Sequence, residues 1–465
     1  MKRLAVMKRL AVFLSSAAIT ACTTVGPNYR SPAPTAPAQA PFVSSQSPAF
    51  TQNQPPGRWW SLFGDPVLDR LIEQALVANT DLRVAAANLV RSRALLRETR
   101  AGRLPSTEIS GGASYAKQSG LPADTIYDAG LDASYQVDLF GGISRAIEAG
   151  RADVGAVQAA FDNTRISVAA ETTRAYADAC SAGQQLAVAR ESLRLQEETF
   201  ALTRRQVEGG RGTALETGQA GAQLEQVRAS LPTLEAERSA ALFRLAVLTG
   251  RPPADFPPEV ASCERPPSLS GPIPVGDGAA LLARRPDIRR AERELAAATA
   301  RVGVATADLY PKVSLGGSVG LTSNSIGGIV SKDAFRFSLG PLISWSFPNL
   351  VVARARVAQA QASAQGALAT FDGVWLGALR ETETALTRYA AELDRREALR
   401  RARGQAADAA RIARLRYQAG RESFQIVLDN ERSLSNIEAE LARSDAQLSD
   451  NRVSLFLALG GGWQA

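Results

Sequence analysis

From Phe335 to Phe347 the chain alternates: Phe335, Phe337, Leu339, Ile343, Trp345 and Phe347 are large and apolar, whereas Arg336, Ser338, Gly340, Ser344 and Ser346 are mostly small or polar. A period of two predicts a β-strand with one broad apolar face and one polar face. The pattern recurs where Leu131, Ala133, Tyr135, Val137 and Leu139 alternate with Asp132, Ser134, Gln136 and Asp138. It recurs again where Val313, Leu315, Val319 and Leu321 alternate with Ser314, Gly316, Ser318 and Gly320, and more weakly from Thr107 to Lys117. Each strand has roughly the 9 to 11 residues that a tilted strand needs to cross a bilayer. A soluble antiparallel sheet over a core is the commoner cause of such alternation, yet the remaining sequence predicts long helices rather than a second layer. An open sheet edge in lipid leaves backbone N–H and C=O groups unpaired, and the smallest closed membrane barrels have about 8 strands. Four strands that span a membrane must therefore share a barrel with other copies.

Two halves of the chain repeat one another. Asp81-Leu82-Arg83 and Leu104-Pro105 match Asp287-Ile288-Arg289 and Tyr310-Pro311 at an offset of 206 positions. Beyond the strands the offset becomes 210, with Phe161-Asp162 answering Phe371-Asp372, Glu171-Thr172 answering Glu381-Thr382, Gly210 answering Gly420 and Gly250 answering Gly460. This internal duplication gives each half the order helix, β-hairpin, long helix, turn, helix. The long helices are expected from about Ser144 to Val207 and from about Val352 to Gln418, each on the order of 90 Å at a rise of 1.5 Å per residue. Val357, Ala360, Ala364, Ala367, Phe371 and Val374 keep a 3,4 spacing, and Leu434, Leu441, Leu448 and Leu455 recur every seven. Leu224, Leu231 and Leu245 take the equivalent places in the first half, with Arg238 as the exception. Such seams predict helices packed side by side as coiled coil. Pro232 interrupts the pattern and predicts a kink.

Residues 1–21 read as an export signal, a basic start followed by an apolar run too short to span a bilayer, with Met7 as an alternative start. Ile19-Thr20-Ala21-Cys22 resembles the bacterial lipobox, which makes Cys22 the candidate lipidation site and the first mature residue. Several acyl chains would anchor it durably, and Thr23 in place of aspartate favours the outer membrane. Residues 22–58 follow as a lipidated tether, proline-rich from residue 31 to 57 and expected to be extended or disordered. The first repeat then covers residues 59–250, with its β-hairpin at about 106–140; a proline-rich linker covers 251–279; the second repeat covers 280–465, with its hairpin at about 312–347. Fifty-three basic against 46 acidic residues are spread without basic clusters interleaved with aromatics, so no nucleic-acid role is indicated. The sequence has no histidine, which removes the commonest general base and metal ligand. No CxxC, phosphate-binding glycine loop or Gly-x-Ser-x-Gly is present, so an enzyme is not expected. Cys180 and Cys263 are suited either to pair in an oxidising compartment or to act as small hydrophobes.

Cys22 followed by Gly26-Pro27-Asn28-Tyr29, the Trp60 to Leu68 segment, Arg285-Pro286-Asp287, the duplicated hairpins, and Tyr417-x-x-Gly420-x-x-Ser423 leading to Val427-Leu428-Asp429 resemble the TolC family of outer-membrane efflux channels, in its lipoprotein form serving RND pumps. The likeness covers essentially the whole mature sequence. It implies an α+β membrane protein: a homotrimer in which four strands per chain form one 12-stranded β-barrel, continued through the periplasm by an α-helical coiled-coil barrel. It further implies a passive exit duct for drugs or other small molecules, an inner-membrane RND-type pump, a periplasmic adaptor as partner, and no cofactor beyond the lipid on Cys22. Asp429 matches an aspartate that the family turns toward the axis near the periplasmic aperture, where three like charges attract cations. Glu216 and Tyr417 match an acid and a tyrosine that clasp the closed state by a hydrogen bond. The turns carrying Gly210, Arg211, Gly420 and Arg421 would meet the adaptor. Two departures alter the expected latch: Glu422 stands where a clasping arginine belongs, and Ile426 where a second aspartate belongs. Other readings are an outer-membrane channel for type I protein secretion and a non-conducting coiled-coil tether. No metal site is expected, since both methionines, Met1 and Met7, precede the mature chain.

Overall fold

The computed structural model describes residues 24–33, 35–117, 122–269 and 271–461; the export signal and Cys22 lie outside them. Two compact units are present, and each draws on both repeats. Of the described residues, one comprises those from 24 to 33, 87 to 159 and 289 to 374; the other comprises those from 35 to 86, 160 to 288 and 375 to 461.

In chain order the elements are β1 (Phe50–Thr51), α1 (Pro66–Ala78), α2 (Thr80–Ala101), β2 (Ser106–Ala116), β3 (Asp124–Val137), α3 (Gly142–Glu208), α4 (Ala214–Leu248), β4 (Ile273–Pro274), α5 (Gly278–Arg284), α6 (Pro286–Ala307), β5 (Lys312–Ser323), β6 (Phe335–Ser344), α7 (Val351–Gln418) and α8 (Phe424–Ala458). The long helices α3 and α7 have 67 and 68 residues, about 100 Å each at the usual rise. Their partners α4 and α8 have 35 residues apiece. Helix α4 continues through Pro232, where the ring removes the amide that would bond the carbonyl of Arg228.

The first unit holds an antiparallel sheet in the order β2-β3-β5-β6. Its register aligns large apolar residues from all four strands on one face: Leu131 pairs with Ile109 and Val319, and Val319 pairs with Phe337. These side chains are exposed, Ile109 by 85% and Phe337 by 74%. A face this apolar requires a non-aqueous neighbour. The opposite face carries Glu108, Asp132 and Asp128 from β2 and β3, with Ser318, Ser338 and Arg336 beyond them. Among the described residues nothing pairs with the outer edges of β2 and β6. At the strand ends Phe140 stacks on Tyr310 at 4.5 Å and Trp345 on Phe347 at 4.6 Å. Aromatic residues favour the boundary between lipid and water at such ends. None of the described helices is long and apolar enough to cross a membrane.

The second unit has the main apolar core, in which Trp59, Trp60, Phe63, Leu68, Leu71, Ile72, Leu245, Leu386 and Phe456 are buried together. Trp59 stacks on Phe456 at 4.8 Å. Helix α1 begins where the Asp65 carboxylate accepts from the amides of Val67 and Leu68, with Pro66 at the first helical position. Leu68, Leu71, Ile72 and Ala75 then fall on one buried stripe.

Residues 35–57 correct the expected tether. Strand β1 pairs in parallel with β4, Phe42 and Phe50 are buried, and the amides of Val43 and Ser44 donate to the Glu383 carboxylate at 2.7 and 3.0 Å. The prolines limit regular structure here to short pieces, helical turns at Ala36–Gln39 and Val43–Gln46 and strand β1, yet leave Phe42 and Phe50 free to enter the core. The 251–279 segment is fastened too. Cys263 forms a disulfide with Cys180, and Arg238, the outlier in the leucine seam, donates to the carbonyl of Ala261.

Candidate functional site

The tips of the two hairpins in the second unit are built by the same stop signal. Gly210 and Gly420 adopt φ of 73° and 67°. In each turn the glycine amide bonds the carbonyl three residues back, and the next amide, of Arg211 or Arg421, reaches five back at 2.8 or 2.9 Å. Left-handed glycine with this bond pair closes a helix C-terminus and satisfies its last carbonyls. Gly250 and Gly460 repeat the device at the other ends of α4 and α8. Arg211 and Arg421 are exposed at the turns. Glu422 pairs with Arg416 at 3.5 Å.

Glu216 and Tyr417 are arranged otherwise than the expected clasp. The Glu216 carboxylate accepts from the Thr213 amide at 2.8 Å while the Thr213 hydroxyl accepts from the Glu216 amide, a capping box that starts α4. Tyr417 packs with Phe424 at 5.7 Å, in a cluster with Ala220, Ala413, Val427 and Leu428. Burial, and then the charge of Glu216, raises the pKa of its phenol. The two therefore act on each other electrostatically, without a hydrogen bond between them among the described residues. Helix capping has claimed the carboxylate, because the first amides of α4 have no partner within the helix and the Glu216 side chain supplies one.

Asp429 is exposed and accepts from the Gln425 side chain at 3.0 Å, one turn earlier on α8. Ile426 is also exposed, 42% of its surface being accessible. Two residues beyond Asp429 lies a group that the sequence did not single out. Glu431 is 3% exposed, and its carboxylate accepts from the Thr199 hydroxyl at 3.0 and 3.1 Å and from Arg414 at 2.7 and 3.1 Å. The Gln196 amide adds a contact at 3.4 Å. Next to it Arg432 donates to the Gln223 carbonyl oxygen at 2.8 Å. Four helices contribute to these contacts, from segments too far apart in sequence to share a local pattern.

In the first unit the residues that follow Cys22 form a strap. The Val25 amide donates to the carbonyl of Phe140. Arg145, 3% exposed, donates to the carbonyls of Val25 and Gly26 at 3.0 and 3.2 Å and to the Asn28 side chain at 2.7 Å, and pairs with Glu148. A Cβ on Gly26 would collide with Gly303, and one on Gly303 would meet the Arg145 side chain at 2.8 Å. Tyr29 donates to Glu292 at 2.8 Å; burial first, and then this bond, pushes its phenol up to about 12. The Gly26 to Tyr29 motif is thus legible in sequence, but Arg145, which holds it, is not. Among the described residues no cluster of three or more Cys, Asp or Glu could hold a metal ion.

The family model described as "Outer membrane efflux protein" matches residues 71–251 and 279–461, the two repeats in turn. The chain is 29% identical to Nodulation protein T of Rhizobium leguminosarum bv. trifolii, covering 94% of each. It is 32% identical to the pyoverdine export outer membrane protein OpmQ of Pseudomonas aeruginosa, covering 96% of each. Among solved structures the outer-membrane channel OprN is similar, with a TM-score of 0.89 and 37% identity over 95% of this chain and 100% of that one.

Proposed function

We propose, from the premise that this chain belongs to the outer membrane efflux protein family and is a TolC-type outer-membrane channel of a tripartite efflux system, that three copies assemble into one duct gated at its helix tips. The observation that carries this reading is the sheet. Its apolar face is exposed in register across four strands, and its β2 and β6 edges are unpaired among the described residues. Lipid can cover the face but cannot satisfy the edges, so β6 of one copy must pair with β2 of the next until the ring closes. Three chains give the ring its 12 strands, within the range of closed membrane barrels. The acyl group on Cys22 adds an anchor beside the Val25 to Tyr29 strap.

The channel does no chemistry, a reading supported by relatives named as an export outer membrane protein and an outer-membrane channel. Energy comes from an RND-type inner-membrane pump through a periplasmic adaptor that meets the tips at Gly210, Arg211, Gly420 and Arg421. Asp429 is the aperture acid: in a trimer three exposed carboxylates face a common axis, repel one another and admit cations. Glu216 and Tyr417 support the closed tip through charge and packing. The cargo is small molecules selected by the pump, and a relative named for pyoverdine export favours this over protein secretion or a non-conducting tether.

Detergent-extracted protein is expected to run as a trimer by native mass spectrometry and to conduct in small, cation-selective steps in planar bilayers, with Asp429→Ala weakening the selectivity and enlarging the steps. A monomer that conducts nothing would refute the duct. An Asp429→Ala trimer with unchanged selectivity would refute the gate.

A further inference from the structure

Two kinds of contact join the first hairpin (α3 and α4) to the second (α7 and α8) near the tips. The apolar cluster around Tyr417, Phe424 and Leu428 includes Ala220 of α4 and packs against Phe200 and Leu202 of α3. Hydrophobic contact has no preferred direction, so such a surface tolerates sliding. The polar contacts do not, because a hydrogen bond weakens steeply once its angle or length departs from the optimum. Glu431 and Arg432 provide those contacts from consecutive positions of α8: Glu431 takes Thr199 and Gln196 of α3, and Arg432 takes Gln223 of α4. One turn of the second hairpin thus grips both helices of the first.

We propose that Glu431 and Arg432 are the positioning residues that hold the second hairpin in register on the first and so set the resting width of the aperture at Asp429. The proposal rests on the reading of Asp429 as the aperture acid, which stands two residues away on the same helix. Every group around Glu431 is a donor, so the carboxylate is the charged acceptor that the site requires. Its pairing with Arg414 lies inside the second hairpin and travels with it. Near the tips, the bonds to Thr199, Gln196 and Gln223 are those that must break if α8 moves away from α3 and α4. Loss of buried partners by a charged group is costly, so the closed register is held until a force on the tips supplies the difference.

Thr199→Val and Gln223→Leu test this, because each removes a first-hairpin leg and leaves the Arg414–Glu431 pair intact. Resting conductance of the full-length trimer in planar bilayers is the readout, with thermal stability of the same trimers measured alongside. Each variant should raise the open fraction on the order of tenfold, the shift supplied by losing one hydrogen bond to a charged group, while the trimer melts close to the parent. A merely structural contact would lower the melting temperature and leave conductance alone. Should one variant fail to assemble, the other carries the test, since the two legs belong to different helices. Folded trimers of parental conductance overturn the clamp; if Asp429→Ala still alters selectivity in the same bilayers, the gate survives without it. If the parent itself conducts nothing, duct and clamp fall together.

Discussion

The disulfide between Cys180 in the middle of α3 and Cys263 after α4 joins residues 83 apart in sequence. Replacing both with serine frees the intervening chain in the unfolded state without emptying much of the core, because serine fills nearly the same volume. Cross-linking a loop of this length removes unfolded-state entropy worth about 4.5 kcal/mol at room temperature. The second unit should lose that amount, with a small further cost for a hydroxyl placed where Cys180 is now fully buried. Spread over a unit of this size, the loss lowers the unfolding temperature by on the order of 5–10 °C. Calorimetry of the detergent-solubilised protein at one fixed scan rate measures it, the fixed rate being needed because irreversible unfolding is governed by a barrier. Parent protein incubated with reductant should converge on the Cys180→Ser/Cys263→Ser curve, and the variant should ignore the reductant. Indistinguishable transitions for parent, reduced parent and variant would refute the stabilising role of the bridge.

Two further outcomes follow from the strap. Gly303→Val drives a side chain into Arg145 and displaces its bonds to Val25 and Gly26, so trypsin should cut after Arg30 faster by on the order of thirtyfold, the equivalent of about 2 kcal/mol of lost charged hydrogen bonding; a parental cleavage rate would count against the clamp on the N-terminal segment. The Tyr29 phenol, held at about 12 against its ordinary 10.0, keeps its proton in the folded strap after a released strap has lost it, so strap stability is complete below pH 10.0 and falls as pH rises through the folded value. In an ultraviolet tyrosinate titration Tyr29→Phe should delete this late-titrating phenol, and an unchanged curve would show that the bond to Glu292 is not made.

Elements with a strong period were legible in the sequence. The alternation around Phe335 to Phe347 became β6, and its apolar residues meet those of β5 and β3 in register. The long helices expected from about Ser144 to Val207 and Val352 to Gln418 run from Gly142 to Glu208 and Val351 to Gln418. Glycines at matching positions marked the turns, because few other residues accept their positive φ. What stayed illegible is side-chain pairing between distant segments. Arg145 reads as one more basic residue on a helix until Val25 and Gly26 lie against it, and Glu431 as a surface acid until Thr199 and Arg414 close over it. The tether expectation failed for a related reason: proline content limits residues 35–57 to short helical turns and a two-residue strand, but says nothing of the apolar slot that receives Phe42 and Phe50. Glu216 was recognised as a tip residue, yet its first obligation is to the amide of Thr213.

The matched lengths of the hairpin helices, 67 and 68 residues on one side and 35 on the other, constrain how this protein can change size. Each arm ends at its own glycine, so trimming one arm by a heptad would preserve its seam but leave its tip short of its neighbour by about 10 Å. A lineage that shortens or lengthens the reach of these arms must therefore edit both repeats together, and the duplication works as a gauge that keeps the ends level.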